Sequence, residues 1–283
     1  FIIDYANFAS IEEYITHLMH QSDYERAQKL VVGKIVLDLG CNSGYGTHML
    51  SQTSNRVTGA DVSPEAIETA ITQYHRGNLS FQLIDGISLP FEAASFDVIC
   101  SFQVVEHIAD YDVYFSEIHR VLKPDGILLL TTPNAAIRVK PGAKPWNPFH
   151  VHEFRGDEFE KFLQNYFPSV RVLGQFATDD AYAIEFNRCT RARDQGDIEL
   201  QQGFKSKIVS YIPLPIANEL RRLRSRFTAQ QPTGLSDESK KQFSTADISY
   251  RRSELDSCLS LIASCSSSSA VQDTASKAFL TNV

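Results

Sequence analysis

The residues of this chain that are best suited to bind a ligand form a glycine-rich turn followed by an acidic residue. One apolar run ends at Gly40, Gly44 and Gly46 follow at short spacing, and the next apolar run ends at Asp61. This order is typical of a buried strand, a glycine turn that begins a helix, and a second strand that delivers a carboxylate. An α/β sheet binds an adenosine-type ligand in this way.

The details of the turn indicate a cationic ligand. A dinucleotide-binding turn has the pattern G-x-G-x-x-G, because its second glycine lets the backbone approach a pyrophosphate. This chain has Asn42 at that position, and Asp38 stands just before the turn. A carboxylate is disfavoured beside a pyrophosphate and favoured beside an ammonium group. S-adenosylmethionine is a ligand of this kind.

Six stretches in chain order resemble the motifs of the class I S-adenosylmethionine-dependent methyltransferases. The resemblance covers roughly residues 30–190 and is to the methyltransferase type 11 subgroup. That subgroup includes ubiquinone-biosynthesis methyltransferases and many bacterial sugar, glycan and natural-product methyltransferases. The matching stretches are residues 36–46, 57–61, 83–86, 96–101, 104–108 and 120–126.

The resemblance implies S-adenosylmethionine as the cofactor and assigns roles to single positions. Asp61 would accept hydrogen bonds from both ribose hydroxyls, the alternative being a helix-capping aspartate. Asp85 would accept from the adenine amino group, the alternative being a surface turn. Asp38 would hold the methionine ammonium, directly or through water, the alternative being a purely structural carboxylate. The predicted cofactor-binding residues are Asp38, Gly40, Cys41, Asn42, Gly44, Asp61, Val62, Asp85, Gly86, Phe102 and Gln103.

Two residues after the predicted fourth strand are candidates for catalysis. Methyl transfer from a sulfonium mainly requires alignment of the reacting atoms, but a hydroxyl acceptor also needs a base. His107 is the first candidate, because a neutral imidazole accepts a proton near physiological pH. Glu106 precedes it. The alternative role for the pair is to brace the following helix.

A second cluster lies in an insertion predicted at residues 133–153. It contains Trp146, His150, His152 and Glu153, within an aromatic and proline-containing stretch that suits a substrate wall. By resemblance, this stretch recurs in methyltransferases of bacterial polysaccharide and glycan synthesis. We expect Trp146, His150 and Glu153 to contact the acceptor and His152 to be a further catalytic candidate. A hydrogen-bonded surface or pocket role is the alternative for His150.

A metal site is the competing hypothesis for these histidines. The related small-RNA 2′-O-methyltransferases bind a divalent metal through two glutamates and two histidines, three of them packed as E-x-x-E-H. Glu106, His107, His150 and His152 could converge in the same way, but Gln103 stands in place of the first glutamate. A neutral amide binds a hard divalent cation less well than a carboxylate does. We therefore predict no metal.

The elements that must position these residues follow from apolar runs alternating with helical patterns. They predict an α/β fold: a Rossmann-like, doubly wound, mostly parallel seven-stranded sheet with helices on both faces. Two N-terminal helices are expected at residues 10–20 and 23–32, packed on the core or over the cofactor. Strands are expected near residues 34–39, 56–60, 79–84, 96–101, 126–132, 170–176 and 181–186, and helices near 44–52, 64–75, 112–122 and 156–166.

Four parts of the chain are predicted. They are N-terminal helices that could form a lid (residues 1–33), the methyltransferase domain (34–188), a C-terminal accessory segment (189–265) and a serine-rich disordered tail (266–283). Within the accessory segment, residues 208–227 combine an apolar stretch with a basic helix. Such a helix suits peripheral membrane contact or a homodimer interface, the alternative being that it covers its own domain.

Composition limits the partners. The net charge of -7 argues against a nucleic-acid binder, so we expect no DNA partner. No apolar run reaches the length of a membrane span. The five cysteines form no C-x-x-C pair, which indicates reduced thiols in a cytoplasmic protein. The chain begins at Phe1 without Met, so we expect a fragment or a trimmed sequence.

The predicted function is S-adenosylmethionine-dependent methyl transfer, directed at oxygen, to a sugar, glycan or small hydroxylated acceptor. An RNA 2′-hydroxyl is a weaker variant of the same chemistry. The alternative class is a non-catalytic relative in which the fold binds the cofactor or a partner protein, because one fold serves many functions.

Overall fold

One mixed sheet of eight strands organises the computed structural model, which describes residues 8–203 and 235–268 without the side chains of residues 196–203. The strands are β1 (Ile35–Leu39), β2 (Arg56–Asp61), β3 (Leu79–Leu83), β4 (Phe96–Phe102), β5 (Leu122–Pro133), β6 (Ser169–Ala177), β7 (Ile248–Arg251) and β8 (Ser260–Ser266). Their order across the sheet is β3-β2-β1-β4-β5-β8-β6-β7. Neighbours among β1 to β5 pair in parallel, and β6, β7 and β8 pair antiparallel. The predicted Rossmann-like sheet is confirmed, with one strand more than expected.

Helices cover both faces of this sheet, as predicted. They are α1 (Ile11–Leu30), α2 (Tyr45–Leu50), α3 (Pro64–Gln73), α4 (Tyr111–Val121), α5 (Ala135–Arg138), α6 (Gly156–Gln164), α7 (Asp179–Gly203) and α8 (Asp237–Lys240). One core cluster contains Phe115 of α4 and Phe159 of α6, and the other contains Ile15 of α1 and Cys189 of α7. The apolar faces of these helices therefore fix the sheet from both sides, and the ligand site lies at the carboxyl ends of the parallel strands.

The N-terminal segment forms the single helix α1, so the predicted pair of helices, residues 10–20 and 23–32, is wrong. The sequence predicts Ser22 or Asp23 as the cap of a second helix. Both are instead buried within α1, where the hydroxyl of Tyr250 on β7 donates to Asp23 at 2.8 Å and lies 3.0 Å from the hydroxyl of Ser22. Because a distant hydroxyl satisfies these side chains, they do not compete for the helix backbone and no break forms.

The strand predicted at residues 181–186 is also wrong, because these residues lie in α7. Ala181, Glu185 and Cys189 are all buried and stand four residues apart, which is the spacing of one helix face. The two aspartates at residues 179–180, which stand between the strands predicted at 170–176 and 181–186, form the first turn of this helix. Negative charge is favourable there because of the helix dipole.

The segment predicted as accessory, residues 189–265, supplies two strands to the sheet. β8 lies between β5 and β6, and β7 forms one edge. A short helical turn, Leu255–Ser257, precedes β8, as the sequence predicts for this end of the chain. Residues beyond the predicted boundary at 188 thus complete the sheet that carries the glycine turn.

Some predictions concern segments outside the described residues. These are residues 1–7 of the N-terminal part, the basic stretch 208–227 and the tail from residue 269. Within the ranges that are described, no helix combines the length and the apolar character needed to cross a membrane.

Candidate cofactor and acceptor site

The turn after β1 has the backbone that its glycines permit. Gly40 and Gly44 have φ values of 81° and 85°, in the left-handed region that glycine adopts at little cost. Asn42 between them also has a positive φ, 47°, which asparagine tolerates better than most residues. At Gly46 the reason is contact, since a Cβ atom would overlap the ring of Tyr24. The turn is therefore closed tightly, with α1 packed against it.

Asp61, at the end of β2, is bound to the same turn. Its carboxylate oxygens accept backbone hydrogen bonds from Asn42 and Ser63, each of 2.9 Å. Ser63 caps α3, because its hydroxyl accepts from the N–H of Ala66 at 3.2 Å. Asp61 is therefore not the helix cap that the sequence offered as its alternative. Each of its oxygens retains a further lone pair, which a ribose hydroxyl could use.

Asp38 is a fully buried carboxylate at the same strand ends. Its side chain accepts from the hydroxyl of Thr47 at 2.7 Å and from that of Tyr24 at 3.2 and 3.4 Å. Burial raises the pKa of Asp38 to about 7, although the two hydroxyls oppose the shift. Two neutral donors leave the ionised carboxylate costly to bury. A cationic ligand would offset that cost.

The remaining predicted residues on this side line the strand ends. Cys41 is 4 % exposed, and burial raises the pKa of its thiol, so it contributes wall and no reactive thiolate. Phe102 ends β4, and its ring meets the ring of Tyr24 edge-on at 4.9 Å between centroids. Gln103 has a φ of 57°, and its amide donates to Thr131 Oγ1 at 3.1 Å.

Asp85 makes the turn that the sequence offered as its alternative role. Its carboxylate accepts from the backbone N–H groups of Ser88 and Ile87, each at 2.8 Å. These backbone hydrogen bonds hold the pKa of Asp85 below its usual value. The turn places Asp85 on the surface after β3, and its contact with adenine stays a prediction.

Exposed apolar side chains flank the two acidic residues. Val62 is 58 % exposed, Leu83 is 44 % exposed and Ile87 is 70 % exposed. Leu83 pairs with Asp61 across β2 and β3, and Gly86 lies so close to Val62 that an added Cβ would be 3.2 Å from its Cγ1. Apolar surfaces beside a few polar groups are typical of ligand sites, and they suit the faces of an adenine ring.

The catalytic candidates begin directly behind the cofactor turn. Val104, whose side chain a Cβ at Gly40 would overlap, leads into the helical turn Val105–His107. Glu106 is 1 % exposed and accepts from Thr132 Oγ1 at 3.1 Å. Burial raises the pKa of Glu106 to about 8, so it carries a proton at neutral pH.

His107 is the more open member of this pair. Its Nδ1 lies 2.9 Å from the carbonyl oxygen of Phe149, and burial lowers its pKa. The imidazole is therefore neutral near physiological pH. If Nδ1 carries the hydrogen donated to that carbonyl, Nε2 holds the lone pair that accepts a proton.

The insertion brings His150 against His107. Their rings are 4.7 Å apart and perpendicular, at 89°. His150 Nδ1 lies 2.6 Å from Glu153, whose side chain is fully buried and also paired with Arg138 at 3.0 Å. Burial alone would raise the pKa of Glu153, but His150 and Arg138 outweigh it and hold the pKa below its usual value. Glu153 thus supports His150 from behind and does not face open space.

Two predicted residues of the insertion lie outside this cluster. His152 Nε2 pairs with Glu158 on α6 at 2.8 Å, and both side chains are nearly half exposed. Trp146 packs its ring on the guanidinium of Arg138, 4.7 Å from the ring centroid. The structure therefore brings together Glu106, His107, His150 and Glu153 and directs His152 elsewhere.

Comparison with known proteins identifies the part of the chain that carries this geometry. Residues 37–130 match a family model described as a methyltransferase domain, a range that includes the glycine turn and the candidate pair Glu106 and His107 after β4. The chain carries a class I S-adenosylmethionine-dependent methyltransferase domain. S-adenosylmethionine is accordingly the cofactor of this domain.

Relatives of the methyltransferase domain are known in several bacteria. The chain is 36 % identical over 151 residues to a protein of Mycolicibacterium smegmatis named as a probable S-adenosylmethionine-dependent methyltransferase, covering 51 % of this chain and 56 % of that protein. It is 30 % identical over 151 residues to the ubiquinone biosynthesis O-methyltransferase of Mesorhizobium japonicum, covering 49 % of this chain and 61 % of that protein. The chain thus spans little more than half the length of these relatives.

A solved structure shares the fold. The cyclase SpnF superposes with a TM-score of 0.50 at 18 % sequence identity, covering 88 % of this chain and 80 % of that one. At this level of identity the likeness concerns the fold alone, since one fold serves many reactions.

The described residues of the methyltransferase domain also include a group able to hold a metal ion. One ligand atom each from Glu106, His107 and His150 lies within 4.8 Å of the others. Each of these side chains also has a hydrogen-bond partner: Thr132 for Glu106, the carbonyl of Phe149 for His107 and Glu153 for His150. Such outer partners orient metal ligands in known sites. The prediction that the chain holds no metal stays a prediction.

Sequence reasoning missed the residues that support the site from a distance. Tyr24 and Thr47 hold Asp38, Arg138 holds Glu153, and Thr132 holds Glu106. Thr47 lies one position after Gly46, at the start of α2. Its hydroxyl could have been predicted as a donor to Asp38, because the glycine turn brings the start of this helix next to the strand end that carries the acid. Tyr24 and Arg138 carry no local signal, since α1 and α5 meet their partners only in the folded chain.

Proposed function

We propose that this chain transfers a methyl group from S-adenosylmethionine to an oxygen atom of a small hydroxylated acceptor. The observation that carries the proposal is the position of His107 and Glu106 in the helical turn directly behind the cofactor turn, where burial lowers the pKa of His107 and raises that of Glu106. Relatives named as ubiquinone biosynthesis O-methyltransferases support an oxygen acceptor. The acceptor class is a sugar, a glycan unit or a phenolic ring.

The residues of the cofactor site fit the cofactor. Asp38 offers a buried carboxylate to an ammonium, Asp61 offers two oxygens to the ribose, and exposed Val62 and Ile87 offer apolar surfaces to the adenine. When bound, S-adenosylmethionine supplies a methyl group on a positively charged sulfur. The contribution of these residues is to fix the position and direction of that group.

His107 supplies the proton acceptor in this proposal. When the acceptor oxygen displaces sulfur at the methyl carbon, with the carbon–sulfur bond breaking to leave S-adenosylhomocysteine, the hydroxyl proton would pass to Nε2 of His107. Glu106 is protonated at neutral pH, so it does not compete for that proton. The rate should therefore rise with pH through a value below the usual histidine range, in line with the lowered pKa of His107.

The test combines variants with a labelled-methyl assay on separated glycan, lipid, small-molecule and RNA fractions. His107→Gln should lower kcat by about 10²- to 10⁴-fold and leave the affinity for S-adenosylhomocysteine unchanged. His152→Ala is the matched control and should retain the rate, because His152 pairs with Glu158 outside the cluster. Full activity of His107→Gln would remove the base. Transfer only to RNA would change the acceptor class, and cofactor binding without transfer to any fraction would favour a non-catalytic relative.

A divalent cation is the second role that the geometry favours for the same cluster. Glu106, His107 and His150 present ligand atoms within 4.8 Å of one another, and a bound cation could activate the acceptor hydroxyl in place of His107. Titration with Co²⁺ would give visible absorption bands in the native protein that His150→Ala loses and His152→Ala keeps. Activity that survives exhaustive chelation, with no such bands, leaves His107 as the base.

A further inference from the structure

We infer that Tyr24 of α1 is a positioning residue of the cofactor site, which orients the carboxylate of Asp38 for a cationic group and joins α1 to the glycine turn. The inference rests on the proposed role of Asp38 toward the cofactor ammonium. It assigns a function in cofactor binding to a helix that lies outside the matched residues 37–130.

The first support is the geometry at the carboxylate. The hydroxyl of Tyr24 lies 3.2 Å from one oxygen of Asp38 and 3.4 Å from the other, while Thr47 donates to the second oxygen at 2.7 Å. A carboxylate has about four lone-pair sites. Two donors therefore fix its plane without using all of its capacity, and the remaining sites are available to an ammonium.

The second support is the packing of the Tyr24 ring. A Cβ atom at Gly46 would overlap this ring, so the glycine of the turn makes room for Tyr24 itself. The ring also meets Phe102 edge-on at 4.9 Å and Tyr45 at 5.5 Å between centroids. Tyr24 thus contacts four residues of the cofactor turn and its surroundings from a single position on α1.

These contacts couple the placement of α1 to cofactor binding. If α1 moves away, Asp38 loses one of its two hydroxyl donors and Gly46 loses its packing partner.

The same linkage predicts a dependence on pH, because the carboxylate must be ionised to bind a cation. The titratable groups that face Asp38 are Asp61 and the thiols of Cys41 and Cys100, besides Tyr24 itself.

The sign of the pH effect follows from the hydrogen bond. Burial raises the pKa of Asp38 to about 7, and the bond from Tyr24 opposes that rise. Removing the hydroxyl therefore raises the pKa further. Affinity for the cofactor should fall as pH drops through the pKa of Asp38, and in Tyr24→Phe this fall should begin at a higher pH.

The experiment is calorimetric titration of the full chain with S-adenosylhomocysteine, which carries the same ammonium group, from about pH 6 to about pH 9. Tyr24→Phe should weaken binding by about three- to tenfold at neutral pH and shift the midpoint upward. Thr47→Val removes the other donor and should shift it in the same direction. Tyr182→Phe, whose hydroxyl donates to the carbonyl of Ser257 at 2.7 Å, is the control for a lost tyrosine hydrogen bond away from Asp38.

The outcomes separate the inference from the proposed function. If Tyr24→Phe lowers the melting temperature as Tyr182→Phe does but keeps the wild-type affinity and midpoint, Tyr24 only packs and the inference is overturned. If Tyr24→Phe does not fold, the upward shift in Thr47→Val decides whether hydroxyl donors tune Asp38, and an unchanged midpoint there overturns the inference as well. A wild-type chain that binds no S-adenosylhomocysteine would instead refute the cofactor role of Asp38.

Discussion

Replacing Asp38 with asparagine should make the folded chain more stable at neutral pH while it destroys cofactor binding. The carboxylate is fully buried, and burial raises its pKa from the ordinary aspartate value of 3.8 to about 7. An acid with a raised pKa in the folded state is protonated there when the unfolded chain has already released its proton. Stability is therefore lost as pH rises from about 4 to about 7 and stays lost above that range.

The magnitude follows from the size of the shift. A difference of about 3 pKa units at about 1.4 kcal/mol each gives roughly 4 kcal/mol as an upper limit at pH 8. Asparagine has the same shape and no charge to bury. Its carbonyl oxygen can accept from Thr47, which lies 2.7 Å from the present carboxylate, and its amide can donate to the hydroxyl oxygen of Tyr24.

Urea unfolding of Asp38→Asn and the wild-type chain, repeated between about pH 4 and pH 8, measures the effect. The variant should gain free energy of unfolding at pH 8, and the gain should shrink toward zero at pH 4. Asp97→Asn is the matched control. Burial alone would raise the pKa of Asp97, but Lys123, which pairs with it at 2.8 Å, outweighs burial and the pKa of Asp97 is lowered. Its depressed pKa gives stability at neutral pH that is lost as pH falls through it, so this variant should be less stable at pH 8. An Asp38→Asn variant that is no more stable at pH 8, or whose gain does not change with pH, would contradict the reasoning.

Three further outcomes are expected. Glu153→Gln leaves Arg138 without its buried partner and should lower the free energy of unfolding by about 3 kcal/mol, measured by urea unfolding; a loss below 1 kcal/mol would show that the pair is not enclosed. Gly46→Ala should displace the Tyr24 ring and weaken S-adenosylhomocysteine binding in calorimetry, and unchanged affinity would contradict the close packing seen there. Ile87→Ser should weaken the same binding with no loss of thermal stability, because the side chain is 70 % exposed; equal affinity would place the adenine elsewhere.

The sequence allowed the cofactor half of the sheet to be predicted because its signals are local. β1 and β4 are mostly apolar runs, β2 and β3 mix apolar with polar residues, and each glycine or acid of the turn stands beside the strand that positions it. The cap of α3 is equally local, since Ser63 and Pro64 adjoin the helix that they begin. Parallel topology then places all these strand ends at one edge.

The C-terminal part could not be predicted in the same way because its pattern is ambiguous. Residues 181–186 are all apolar or aromatic except Glu185, as in a short buried strand, but burial at Ala181 and Glu185 follows one face of α7. Glu185 is a polar residue on that buried face, where Arg188 pairs with it at 2.6 Å. Because a charged residue in an ion pair occupies a buried position of the helix, the apolar residues alone do not show the helical spacing, and a prediction based on that spacing misses the helix.

Three buried carboxyl groups with raised pKa values show how the site differs from the rest of the core. Asp23 accepts from Tyr250 and Gln175 and thereby ties α1 to β7 and β6. Asp38 and Glu106 lie at the carboxyl edge of the sheet. The hydrogen bonds that each carboxyl group accepts are too few or too long to offset the burial of its negative charge. A buried carboxylate without enough hydrogen bonds or a charged partner lowers the stability of the fold. A cation beside Asp38, and a proton or a cation at Glu106, would remove the free-energy cost of burying these two charges. Ligand binding at this edge of the sheet is therefore the best explanation for carboxyl groups that lower the stability of the fold.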